Sequence, residues 1–147
     1  MNGSVVIDAS DAVKWVVNEI RTNRALTLAR SWVRSSIQPM APYLMPVEVS
    51  NALYRRVVLG EIPFLAATEL LDAFLRMGIE LREPTGVHRR AMELSSRLSQ
   101  DSIYDTQYLA LAETLDCELW TADDRFYRDA SPSFRVIRWL GEFEEGR

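Results

Sequence analysis

A chain of 147 residues with 48% hydrophobic side chains is long enough to bury a core as one domain, taken here as residues 1–147, and Cys117, its single cysteine, excludes an internal disulfide framework. No stretch has the length and apolarity needed to cross a bilayer, and the N-terminus lacks the basic start, apolar run and cleavage site of a signal peptide, so a cytoplasmic protein with no membrane contact is expected. A formal net charge of −4 argues against a non-specific nucleic-acid binder, because phosphate binding rests mostly on Lys and Arg.

Ser4 to Ile7 is a short β-branched run closed by Asp8-Ala9-Ser10, and Ala12, Val13, Trp15, Val16 and Val17 after it predict a short helix. Asn23 to Ile37 carries Ala25, Leu26, Leu28, Ala29, Trp32 and Val33 at helical spacing, a second helix bounded near Pro39. Tyr43 to Leu59 reads as a third, with Pro42 and Pro46 near its start and Gly60 as its stop. Pro63 starts a fourth that runs through Met77 and ends at Gly78, with Leu65, Leu70, Leu71, Phe74 and Leu75 as its apolar face. Ile79 to Leu81 is a brief strand. Thr85 is a candidate cap for a helix to about Leu98. Asp101 or Ser102 is a candidate cap for the next, which carries Tyr104, Tyr108, Leu109, Leu111, Ala112 and Leu115. Glu118 to Thr121 reads as a strand, Asp124 to Tyr127 as one helical turn, and Phe134 to Trp139 as a last strand.

Strands that alternate with helices imply parallel pairing, since parallel neighbours need a crossover and a helix is the usual one; the fold class is α/β with a central parallel sheet. Ligands of such sheets bind beyond the carboxyl ends of the strands, and two strand ends here carry aspartate, Asp8 and Asp123. Asp8 reads equally as a helix cap or as a cation ligand. In Thr121-Ala122-Asp123-Asp124 two adjacent carboxylates repel unless a cation or a helix start intervenes; Asp123 is the favoured ligand, Asp124 its solvated neighbour, and Thr121 a residue that could orient Asp123. Asp105 lies on the helical stripe of Tyr108, Leu109 and Ala112, the side expected to be buried, with a local capping pattern from Ser102 as the competing explanation. Glu48, judged by position alone, is a surface glutamate; the chemistry raises it, because oxygen-rich Mg²⁺ or Mn²⁺ sites use carboxylates and no His or Cys cluster suits zinc. His88, between Val87 and the Arg89-Arg90 pair, reads as solvated.

Lys14 is the only lysine among 17 basic residues, so the rest are arginines, whose planar fork suits phosphate. Arg21, Arg24, Arg30 and Arg34, then Arg55 with Arg56, then Arg89, Arg90 and Arg97 recur near helical spacing; each cluster is as readily a solvated helix face as a phosphate-binding stripe. Trp15, Trp32, Trp120 and Trp139 read as packing residues rather than base-stacking platforms.

Val6-Ile7-Asp8-Ala9-Ser10 with Lys14-Trp15, Glu48 before Asn51-Ala52-Leu53, Tyr104-Asp105 with Tyr108-Leu109-Ala110-Leu111-Ala112, and Leu119-Trp120-Thr121-Ala122-Asp123 together resemble the four acidic motifs of PIN-domain nucleases, in order and across nearly the whole chain. The length and the Asp-Ala-Ser opening are most similar to the VapC-type toxins of prokaryotic toxin–antitoxin pairs. The resemblance implies a three-layer α/β/α sandwich, Mg²⁺ or Mn²⁺, hydrolysis of RNA, a homodimer, and an antitoxin partner that blocks the acidic pocket. The residues carried over are Asp8, Glu48, Asp105 and Asp123 as catalytic metal ligands, with Ser10, Thr121 and Asp124 in support. Two other readings stay open: a PIN-like interaction module without catalysis, and an aspartate-phosphorylated receiver-like domain. Against the latter, position 10 is serine and the sole lysine, Lys14, is early in the chain.

Overall fold

The computed structural model describes residues 3–144. Its sheet has five parallel strands in the order β3-β2-β1-β4-β5, with β1 (Ser4–Ile7) in the middle, β2 (Gln38–Ala41) and β3 (Glu80–Leu81) to one side, and β4 (Leu119–Thr121) and β5 (Ile137–Trp139) to the other. Helices cover both faces: α1 (Ala9–Ala12), α2 (Thr22–Arg34), α3 (Met45–Val58), α4 (Phe64–Leu75), α5 (Val87–Arg97), α6 (Tyr104–Leu115) and α7 (Asp124–Ala130), a three-layer α/β/α sandwich. Val5, Val6 and Ile7 are all buried, the continuous apolar run that a strand covered on both faces requires. Among the described residues no helix is long and apolar enough to cross a membrane.

β2 is the one strand that the sequence pattern does not predict. Its residues, Gln-Pro-Met-Ala, include no β-branched side chain, and proline supplies no ladder donor. Pro39 is tolerated because β3 pairs only with Met40 and Ala41, which leaves Pro39 opposite Val5 of β1 alone. Gln38 then ties the strand's start to the chain entering β3, its Nε2 donating to the carbonyls of Pro39 (2.9 Å) and Gly78 (2.7 Å).

Other boundaries shift for identifiable reasons. The first helix begins at Ala9 rather than near Ala12, because Asp8 caps it directly after β1, and a tight turn over Val13–Trp15 continues it. Gly60 and Gly78 stop α3 and α4 as expected, at φ of 75° and 78°, where a side chain would be strained. Neither Thr85 nor Asp101 nor Ser102 caps a helix: α5 follows Gly86 at φ 87°, α6 follows Ile103 with no side-chain cap, and the Ser102 carbonyl instead accepts from Ser95 Oγ at 2.8 Å. α7 extends to Ala130, well past one turn, and β5 starts only at Ile137, since the Ile137 N–H turns back to the Phe134 carbonyl.

α6 has no single buried stripe. Thr106 through Ala112 are buried in succession, because α6 lies between β1 and α5. Thr106 Oγ1 joins the helices through Ser95 Oγ (2.6 Å) and the Ala91 carbonyl (3.0 Å). The tryptophans pack internally: Trp15 against Trp32 edge-on at 6.4 Å, Trp120 against Phe143 at 5.8 Å, and Trp139 stacked on Tyr127 at 6.1 Å. Cys117 is a buried free thiol, its pKa pushed up to about 11 by burial.

Candidate active site

The chain leaves β1 toward β2 and β3, then returns to the other side of β1 as β4 and β5, so the strand order reverses between β1 and β4. The connections that leave two such strands part company and open a crevice at their carboxyl ends. Asp8 directly follows β1, and Asp123 stands two residues after β4. Glu48 lies in the first turn of α3, which follows β2. Asp105 lies in the first turn of α6, and because α6 runs back to feed β4, that turn starts at the same edge of the sheet.

Asp8 is 5% exposed, and burial, with a smaller contribution from the Asp105 charge, pushes its carboxyl up to about 7. The Ser10 and Thr121 hydroxyls and the Asp11 N–H oppose that rise. Ser10 Oγ donates to Asp8 Oδ1 at 2.6 Å, and the Asp11 N–H donates to the same oxygen at 3.1 Å. Ser10 Oγ also accepts from the Ala122 N–H at 3.0 Å, so one serine ties the end of β1 to the end of β4. Thr121, fully buried, accepts from the Asp123 N–H at 3.0 Å and thus steadies the Asp123 backbone.

Asp123 is itself a cap: its Oδ1 accepts the Phe126 N–H at 3.1 Å and starts α7. Both strand-end aspartates are therefore helix caps, each through one oxygen. Asp105 is different. It is half-buried and caps nothing, and its carboxyl is pushed up to about 6 by burial, then by the charges of Asp123 and Glu48. Glu48 is raised by burial and lowered by Tyr108, whose hydroxyl donates to Glu48 Oε1 at 2.5 Å. Asp8, Glu48, Asp105 and Asp123 thus fall within one electrostatic neighbourhood, joined through Asp105.

Asp124 stands apart from that group, exposed and paired with Arg128 at 3.1 Å on the surface of α7. His88 is also exposed; it bonds to Gln107 and Glu83 rather than to the crevice. Tyr108 gains a role the sequence did not suggest, and Asp11, an extra acid near the site, an environment it did not reveal. Tyr108, read only as part of an apolar stripe, is the anchor of Glu48; the signal was absent because the partners lie 60 residues apart. Asp11 is fully buried with neither carboxylate oxygen hydrogen-bonded, and its carboxyl is held well above the usual range by burial and by Asp8. Lys14, which partly offsets that rise, gives its ammonium to Glu19 Oε1 at 2.9 Å, not to Asp8.

A cleft of about 510 Å³ opens beside Asp105 and Asp123. Among the described residues, no three Asp, Glu, His or Cys side chains stand close enough together to hold a metal ion as they are placed. The oxygen-only donor set nevertheless suits a hard divalent ion that keeps several waters and takes few protein ligands, and it does not suit zinc. Asp105 raises the Asp8 carboxyl, and the charges of Asp123 and Glu48 raise Asp105, a repulsion that a cation would relieve.

Fold and crevice together define a parallel α/β domain with a carboxylate-lined site at its switch point. A family profile described as PIN domain matches residues 6–133, a span containing all four carboxylates, and the chain belongs to the PIN-domain family. A VapC ribonuclease of Mycobacterium bovis is 28% identical over 121 residues, covering 82% of this chain and 87% of that protein. Ribonuclease VapC1 of Mycobacterium tuberculosis is 33% identical over 121 residues, covering 82% and 86%. Among solved structures, PAE2754 from Pyrobaculum aerophilum is similar with a TM-score of 0.68 at 18% identity, covering 94% of this chain and 91% of that one. Mycobacterium tuberculosis VapC20, described as a sarcin-ricin loop cleaving toxin, has a TM-score of 0.65 at 17% identity, covering 86% and 95%. At those identities the structural likenesses concern the fold alone.

Proposed function

We propose that this chain is a divalent-metal-dependent endoribonuclease, the toxin of a prokaryotic toxin–antitoxin pair, working through Asp8, Glu48, Asp105 and Asp123. The observation that carries the reading is Asp105: helix capping accounts for Asp8 and Asp123 but not for a half-buried carboxylate that caps nothing and is coupled to two others. Membership of the PIN family and relatives that bear the name VapC ribonuclease support the activity. A receiver-like reading finds no support, because Lys14 is engaged by Glu19.

In this reading the four carboxylates hold Mg²⁺ or Mn²⁺, which supplies Lewis acidity toward a phosphodiester and a more acidic water. The protein's part is to place the ligands beforehand. Ser10 and the Asp11 N–H fix Asp8 through Oδ1, Tyr108 fixes Glu48 through Oε1, and the Phe126 N–H fixes Asp123 through Oδ1. Such outer contacts orient ligands and limit the reorganisation left for binding. An antitoxin and a second copy of the chain are the protein partners the reading implies, and Val58, Leu59, Phe64 and Leu65, exposed around the α3–α4 junction, are apolar surface for one of them.

The test is cleavage of a mixed RNA pool by wild type and Asp105→Asn, each with Mg²⁺, Mn²⁺ or chelator. Cleavage that requires both metal and Asp105 is expected. Equal cleavage by the variant, or cleavage undiminished by chelator, would overturn the assignment.

A further inference from the structure

Apart from its acids, the cleft beside Asp105 and Asp123 contains one charged group whose role is unassigned. Four carboxylates border it, Asp101, Asp105, Asp123 and Asp129, and among the described residues Arg125 is the single cation that does. A polyanion approaching that surface meets repulsion at Asp101 and Asp129 even where a metal neutralises the inner pair, so one cation at this place has a large effect on phosphate.

The arginines of the rest of the molecule are mostly committed. Arg56 pairs with Glu19 and Glu61, Arg90 with Glu113 and Glu93, and Arg138 with Glu118. Arg21 and Arg97 lie over the Trp139 and Phe134 rings, and Arg24 donates to the Gly141 carbonyl. The Arg125 side chain makes no hydrogen bond, ion pair or ring contact among the described residues, although carboxylates stand on both sides of it in sequence. Those carboxylates are engaged elsewhere: Asp124 with Arg128 at 3.1 Å, and Asp129 with Gln100 Nε2 at 3.5 Å. Arg125 also sits in the first turn of α7, where a cation works against the helix dipole rather than with it. Neither the helix dipole nor a direct side-chain contact within the chain therefore accounts for an arginine here. Asp123 caps the same helix, so the backbone that places the carboxylate also places the guanidinium two residues on.

We propose that Arg125 is the phosphate-positioning residue of the site, its guanidinium gripping a backbone phosphate of single-stranded RNA next to the bond held at Asp105 and Asp123. The proposal rests on the ribonuclease reading above. A planar fork can hold two phosphate oxygens at once, which fixes the phosphate's orientation in the cleft and carries no base information, since phosphate contacts position and base contacts specify.

The experiment measures kcat/KM for cleavage of mixed-sequence single-stranded RNA in Mg²⁺ across about 50 to 200 mM salt. It uses the full chain as wild type, Arg125→Ala, Arg125→Lys and Arg128→Ala, with melting temperatures taken alongside. Loss of one charge-assisted phosphate contact lowers kcat/KM about tenfold in Arg125→Ala and flattens the log–log salt slope by about 0.7. Arg125→Lys restores the slope but only part of the rate, because a point charge replaces the fork. Arg128→Ala, which removes an equal charge outside the cleft, stays near wild type. A slope in Arg125→Ala equal to that of wild type or of Arg128→Ala overturns the proposal, as a structural role would lower the melting temperature and leave the slope alone. Absence of cleavage by wild type would overturn the ribonuclease reading itself, and this proposal with it.

Discussion

Replacing Asp8 by asparagine should stabilise the metal-free protein at alkaline pH, the reverse of the usual result for a buried polar residue. The asparagine side chain keeps an oxygen to accept from Ser10 and from the Asp11 N–H, so the cap survives and only the charge is lost. In the folded chain the Asp8 carboxyl sits at about 7 rather than 3.8, chiefly through burial. A folded-state pKa raised in this way favours the native state fully below about pH 4, and that advantage is lost as pH rises through 7. At 1.36 kcal/mol per pKa unit the loss is about 4 kcal/mol, worth on the order of 10 °C in melting temperature for a chain of this size. The assay is urea and thermal unfolding of wild type and Asp8→Asn in chelator between pH 4 and 8. The variant should match wild type near pH 4 and exceed it by a growing margin to pH 8. Adding Mg²⁺ at a hundred times its Kd should return about 2.7 kcal/mol to wild type and little to the variant. A variant less stable than wild type at pH 8 in chelator would refute the reasoning, because it would mean the Asp8 charge is already compensated within the protein.

Three smaller perturbations test the surrounding contacts. Tyr108→Phe removes the hydroxyl that anchors Glu48; it should cost about 2 kcal/mol of stability and weaken metal binding about tenfold, and a variant unchanged in both a melt and a metal titration would contradict that role. Ser10→Ala strips a donor from Asp8 and leaves the Ala122 N–H without its acceptor, so unfolding experiments should show a loss of about 1–3 kcal/mol, against less than about 0.5 kcal/mol were Ser10 a passive surface residue. Asp11→Asn should stabilise the metal-free chain most at alkaline pH and progressively less toward acid, since the Asp11 carboxyl is held far above its ordinary range by burial; a loss of stability at pH 8 would show that its oxygens are satisfied after all.

The strand ends were readable because two local signals coincide there, a β-branched or aromatic run that stops and a carboxylate that follows it. Asp8 and Asp123 are accordingly where the pattern puts them. The choice between cap and ligand, which the sequence leaves open, has no single answer in the structure, for both aspartates cap with one oxygen. β2 was illegible for a physical reason: its strand character comes from neighbours on both sides and from the Gln38 bridge, while Gln-Pro-Met-Ala carries no intrinsic preference for it. Thr85, Asp101 and Ser102 are good capping residues that the backbone does not use, since Gly86 and Ile103 set the turns. The arginine clusters show the limit of periodicity most clearly. Spacing placed Arg56 and Arg90 on exposed faces, but only tertiary contacts reveal that they are tied to glutamates from other elements, and that Arg125, which belongs to no cluster, borders the acidic cleft.

The central claim, that four carboxylates from four parts of the chain jointly hold a divalent ion, is tested most directly by titrating Mn²⁺ into the purified chain and counting free ion by electron paramagnetic resonance. The set is wild type with Asp8→Asn, Glu48→Gln, Asp105→Asn and Asp123→Asn, all at pH 8. The account predicts saturable binding in wild type that every one of the four substitutions weakens at least tenfold, while Asp124→Asn leaves it intact. Binding that survives in Asp105→Asn as in wild type, or that is absent from wild type, would contradict it.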